Sequence, residues 1–102
     1  MNDSRAWVML PGLGADERKM CVAMFRDADP HFMRWAVGAI LRWRPAPLEG
    51  IPVRAIHGAR DRLIPACRVE ADEIVPGGGH LINLTHADAV NRFLREAGEV
   101  LP

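Results

Sequence analysis

Two strand-like segments, each followed by glycine, constrain this chain more than any other feature. Ile51-Pro52-Val53-Arg54-Ala55-Ile56-His57 stops at Gly58. The shorter run Ala71–Val75 stops at Pro76 and three consecutive glycines, Gly77, Gly78 and Gly79. The first is apolar enough to be an interior strand of a parallel sheet, where both faces are covered. Its Pro52 fits only near the strand's beginning, since proline donates no ladder hydrogen bond. After His80 a final helix is expected, capped by Thr85 with Asp88 three residues on, as in a capping box. Its inner face would use Ala89, Val90, Phe93, Leu94 and Ala97. Strand, loop, strand, loop and helix in this order read as the end of a three-layer α/β sheet.

The first half of the chain is helical in pattern. Trp7-Val8-Met9-Leu10 followed by Pro11-Gly12-Leu13-Gly14 reads as a strand leading into a turn, although four residues do not exclude a loop. Asp16 and Glu17 then suit the positive end of a helix running to about Phe25. Asp29 can cap a second helix whose first position is Pro30, where a missing N–H costs nothing. Phe32, Trp35, Ala36, Ala39, Ile40 and Trp43 follow the three-and-four spacing of a helix face, and Met33, Val37 and Leu41 widen the stripe. Arg42 and Arg44 lie at the negative helix end, and Pro45 and Pro47 stop it. A helix this apolar requires cover on more than one side. Ala46 to Gly50 reads as a linker.

Composition removes several classes of function. Of 102 residues, 49% are hydrophobic and 25% charged, and 13 basic residues balance 13 acidic ones. That profile fits one small globular domain and argues against disorder. There is no basic excess with which to neutralise nucleic-acid phosphates. No apolar run approaches the ~20 residues of a membrane-spanning helix. The opening residues lack the basic-then-apolar order of a signal peptide, so a cytoplasmic location is expected. Cys21 and Cys67 are too few for a disulfide framework and have no CxxC spacing, which suits a reducing compartment. The histidines and cysteines lack the paired ligand spacings of a metal site, and none is expected. Hydroxyl nucleophiles are nearly absent: one serine (Ser4), one threonine (Thr85) and no tyrosine.

The chemistry gathers in two loops. His57-Gly58-Ala59-Arg60-Asp61-Arg62-Leu63-Ile64-Pro65 follows the first strand, and Gly77-Gly78-Gly79-His80 follows the second. Open α/β sheets place ligand sites at the carboxyl ends of their strands. An acid there and an imidazole after the next strand can meet, the acid holding the tautomer and the imidazole acting as base. The plainer alternatives are that Asp61, between Arg60 and Arg62, is a solvated loop acid and that His80 is a packed histidine. Three glycines before His80 point instead to unusual dihedrals or close backbone approach. His57 reads as a strand-end residue that packs or hydrogen-bonds locally.

From Ile51 to Leu84 the sequence resembles the carboxy-terminal part of α/β-hydrolase-fold proteins, whose last strands carry an HG..D...P acid loop and a GGH histidine loop. MFRDADPHFMRWAVGAILRW is similar to a helical segment just before the acid strand in some bacterial members, and WVMLPGLGADER looks like the opening strand and oxyanion loop. The resemblance implies a catalytic acid at Asp61 and a base at His80, in the acid-before-histidine order of that fold. It implies oxyanion-facing backbone N–H groups near Leu13. Trp35, otherwise a core residue, becomes a candidate for lining an apolar substrate pocket. A small ester or other acyl substrate is implied, and no cofactor. The departure from the family is that no G-x-S-x-G occurs and the central strands that would carry it are missing. Ser4 lies in a polar tail, Thr85 is a helix cap, Cys21 is in a helix and Cys67 in a loop, so no nucleophile transfers to this chain.

The expected fold is therefore α/β, a partial, truncated α/β-hydrolase-like three-layer sandwich with a short, mostly parallel sheet and flanking helices. It forms one partial domain over 1–102, with first strand and oxyanion turn in 1–14, helices in 15–44, and the last strands and helix in 51–102. Two functions follow. One is an acyl hydrolase centre for which this chain supplies the acid–histidine pair but no serine nucleophile, so that it is expected to be inactive alone and to need a complementing chain that brings the serine. The other is a non-catalytic binding or self-association module derived from a hydrolase, with a second copy as partner.

Overall fold

The computed structural model describes residues 7–100. Two strands form its sheet, β1 (Ile56–Gly58) and β2 (Glu73–Val75). They run parallel, with Ile56 opposite Glu73, His57 opposite Ile74 and Gly58 opposite Val75. Helices α1 (Ala15–Asp27) and α2 (Pro30–Arg42) precede the sheet. After it come a single helical turn, α3 (Ile82–Thr85), and α4 (Ala87–Val100). Helices around a short parallel sheet make the fold α/β, as expected. No helix among the described residues is long and apolar enough to cross a membrane.

Helix α2 starts as its sequence dictates. Asp29 is extended and its side chain accepts the His31 N–H at 2.8 Å, with Pro30 at the first helical position. The strands are shorter than the apolar runs suggest. Residues 51–55 are not part of the ladder, because strand structure requires a hydrogen-bonding neighbour and β2 supplies one only from Glu73 onward. Asp72 instead ties off the entrance: its Oδ2 accepts the Ala55 N–H at 2.7 Å, and its own N–H donates to the Ala55 carbonyl at 2.8 Å.

Three further expectations are corrected. Trp7 and Val8 are helical and Met9 and Leu10 lie in a turn, closed by the Leu10 N–H on the Trp7 carbonyl at 3.2 Å, so no strand forms there. A four-residue segment without a ladder partner satisfies its backbone groups locally. Thr85 does not cap α4. It ends α3, donates its hydroxyl to the Leu81 carbonyl at 3.3 Å and stands 2.8 Å from His86 Nδ1. Leu94 is 60% exposed, so the buried stripe of α4 is narrower than expected and centres on Phe93 and Ala97.

The core is correspondingly thin. Among the described residues, Leu13, Cys21, Val75, Ile82, Phe93 and Ala97 are the buried apolar ones. Glycine lets its parts meet. A Cβ on Gly58 would collide with the carbonyl oxygen of Gly79 and lie 2.5 Å from that of Gly78, and a Cβ on Gly79 would lie 2.5 Å from the Pro11 carbonyl oxygen. The end of β1, the glycine run and the Pro11–Gly14 turn therefore stack backbone on backbone. Gly58→Ala is expected to cost about 2–3 kcal/mol, because a backbone neighbour cannot rotate aside. Gly98→Ala, in α4 with open space around it, is expected to gain about 0.5–1 kcal/mol from helix propensity. Urea denaturation of the two variants checks the contrast.

Candidate active site

Asp61 and His80 are brought together at the carboxyl ends of β1 and β2. A hydrogen bond from the Ala59 N–H to the Val75 carbonyl (3.0 Å) continues the ladder one residue past β1. The Arg60 N–H then donates to the Gly78 carbonyl at 2.7 Å, which joins the acid loop to the glycine run. This stitching carries Asp61 to the base of His80, whose Nδ1 lies 3.0 Å from Asp61 Oδ2.

Asp61 is not a solvated loop acid. Its side chain is only 2% exposed, and a buried carboxylate is tolerable only when its oxygens are paired. Oδ1 accepts the backbone N–H groups of Leu63 and Ile64, both at 2.9 Å. Oδ2 faces His80 Nδ1 and also His57 Nε2, the latter at 3.1 Å. Burial alone pushes the Asp61 carboxyl up, but the Ile64 N–H, His80 and the Leu63 N–H together outweigh it and hold the group below the ordinary carboxylate range.

His57 has a larger part than its strand-end position suggests. Its Nε2 lies 2.7 Å from the Ile64 carbonyl, and a carbonyl only accepts, so this nitrogen bears a proton. The same N–H faces Asp61 Oδ2 and braces the acid loop across its turn. The signal was the four-residue spacing of His57 and Asp61 on either side of Gly58. For His80, a carboxylate at Nδ1 calls for a proton there. In the neutral ring Nε2 is then the unprotonated nitrogen, the one able to take a proton from a reacting group.

His80 also belongs to the wall of a cavity of about 470 Å³, with Met9, Leu10, Cys21, Met24, Phe25, Leu63 and Leu81. An apolar wall with one oriented imidazole is the pattern of a small-molecule site. Cys21, assigned from sequence to a helix interior, thus places a thiol in the same wall. Neither Leu13 nor Trp35 belongs to it. Leu13 is buried in the core; its turn reaches the histidine loop through the Pro11 carbonyl packed on Gly79. Trp35 is 62% exposed. Met33 is the α2 residue that shares a small pocket with Met24, Phe25 and Ala28 of the preceding segment. Two positions further along a helix the side chain points to the other side, which takes Trp35 away from that contact. Ser4 lies outside the described residues. Among the described residues, no group of three or more His, Cys, Asp or Glu side chains is arranged to hold a metal ion.

Part of the chain is similar to a known protein. It is 43% identical over 58 residues to a protein of Synechocystis named "Putative non-heme chloroperoxidase", a match covering 47% of this chain and 21% of that protein. The chain thus spans about a fifth of that relative's length. No family model matches, and no solved structure does.

The Asp61 geometry predicts an acid-sensitive site. A carboxyl whose folded pKa is depressed contributes stability that is fully present above its unfolded pKa and lost as pH falls through the lower folded value. Asp61→Asn is expected to flatten that part of the stability–pH curve below about pH 4. Asp61→Ala, which strands the Leu63 and Ile64 N–H groups and both imidazoles, is expected to cost about 2 kcal/mol at neutral pH. Urea titrations across the acid range measure both effects.

Proposed function

We propose that this chain carries the acid–histidine pair of an acyl-hydrolase centre, with His80 as general base and Asp61 as the group that orients it. The observation that carries the reading is the 3.0 Å contact from Asp61 Oδ2 to His80 Nδ1 at the wall of an apolar cavity. The strand context, the acid-before-histidine order and the partial similarity to the Synechocystis protein named "Putative non-heme chloroperoxidase" support an α/β-hydrolase origin. The substrate class that fits is a small ester or related acyl compound. Its apolar acyl part would sit against Met9, Leu10, Met24, Phe25 and Leu81, with the carbonyl towards His80.

The reaction this pair can support alone is limited. The only serine in the chain is Ser4, and the Thr85 hydroxyl is committed to Leu81 and His86. With no free hydroxyl beside His80 among the described residues, His80 activates water: it takes a proton as the water oxygen attacks the acyl carbon, then returns one to the departing alkoxide. The oxyanion role of the turn at Leu13 belongs to this proposal. It needs backbone N–H groups aimed at the developing charge. Such a centre, lacking a covalent intermediate, turns over slowly compared with one that has a serine.

The absence of such a hydroxyl among the described residues also favours a second reading, a non-catalytic module that binds apolar acyl compounds in the same cavity. Hydrolysis of p-nitrophenyl butyrate separates the two. In the catalytic reading the purified chain exceeds the uncatalysed rate, and His80→Ala removes most of the excess, about a hundredfold for a positioned general base. Cys21→Ala leaves the His80-dependent rate in place, since water rather than the thiol attacks. Ester binding with no His80-dependent turnover selects the binding module. A rate unaffected by His80→Ala eliminates His80 as the base.

A further inference from the structure

The apolar stripe of α2 is largely uncovered. Phe32, Trp35 and Ile40 of α2, and Trp43 at its end, are 60%, 62%, 70% and 72% exposed. With Ala36 and Ala39 they form one stripe at helical spacing. Phe32 and Trp35 already cluster, with ring centroids 5.8 Å apart. A contiguous apolar patch of this extent marks an interaction surface.

We propose that this face pairs with the same face of a second copy, α2 lying antiparallel to α2 about a two-fold axis at Ala36. Area is the first argument. The four large side chains expose on the order of 600 Å² per copy, so pairing removes about 1,200 Å², the lower bound of specific interfaces. Charge is the second. Asp29 caps the amino end of α2, Arg42 lies in its last turn with Arg44 just beyond, and no acidic residue lies between them. All three are exposed. A parallel pair would set like charges side by side. An antiparallel pair sets each acidic end against a basic one and opposes the two helix dipoles.

Helix geometry supplies the register. Asp29 and Trp43 are equidistant in sequence from Ala36, so the acidic end of one copy meets the Trp43–Arg44 end of the other, and Phe32 faces the partner's Ile40. The small Ala36 at the axis lets the helices approach to the usual 8–10 Å. A two-fold contact uses one patch twice and closes at two copies. The formal net charge of zero adds no overall repulsion between them.

Sedimentation equilibrium of the full chain tests this, with a dimer of roughly micromolar dissociation constant expected. Ile40→Glu, at an exposed position that leaves folding intact by circular dichroism, is expected to weaken association at least tenfold. In a Cys67→Ser background, Ala36→Cys should form a covalent dimer on mild oxidation, whereas Arg34→Cys, on the opposite side of α2, should not. The proposal is overturned by a monomer at concentrations far above micromolar, by an assembly larger than two, by a dimer indifferent to Ile40→Glu, or by cross-linking at Arg34→Cys in preference to Ala36→Cys.

Discussion

The close approach of Gly58 to the carbonyl groups of Gly78 and Gly79 is the contact on which the rest of the site depends. No side chain intervenes there, so the end of β1 and the glycine run lie within hydrogen-bonding reach and the Arg60 N–H finds the Gly78 carbonyl. That bond sets where the acid loop turns, and the turn delivers Asp61 to His80. The Leu63 and Ile64 N–H groups then hold the carboxylate from behind, while His57 braces it from the strand. A buried negative charge is kept by three hydrogen bonds, from the Ile64 and Leu63 N–H groups and His80, and these disfavour its protonation despite burial.

How much of this was legible in the sequence depended on whether a residue's partner was near or far along the chain. Asp29-Pro30 opened α2 as read, because a cap and the helix it starts are neighbours. The acid and histidine loops were legible as motifs following strand-like segments. Strand length was not: Ile51 to Ala55 has strand composition, but a ladder needs a partner, and β2 starts only at Glu73. Thr85 failed as a cap for a related reason. Its hydroxyl found the Leu81 carbonyl behind it, so α3 ends where α4 was expected to begin.

The cavity was the least legible part. Its wall joins Met9 and Leu10, three residues of α1, Leu63 from the acid loop, and His80 with Leu81. No local pattern predicts such a set. Trp35, the aromatic best placed by analogy, lies on the side of α2 away from Met33 and is solvent-exposed. Cys21 entered the wall because α1 turns that position inward, a fact of packing rather than of sequence spacing.

One remaining contact closes the stretch of chain that carries the imidazole. Arg92 Nη2 on α4 meets Glu73 Oε2 at the start of β2, 2.9 Å away, and Arg92 Nη1 lies 3.4 Å from Glu96 Oε2. The backbone between Glu73 and Arg92 contains β2, the glycine run, His80 and α3, so this pair works as a clasp on a closed ring of chain. His80 is therefore held less like the tip of a loop than like a stone in a mount, fixed at its setting by Asp61 and at its band by Arg92. The clasp lies at the surface, where added salt weakens charge pairs, whereas the setting is buried. Ionic strength can thus slacken the band without loosening the stone.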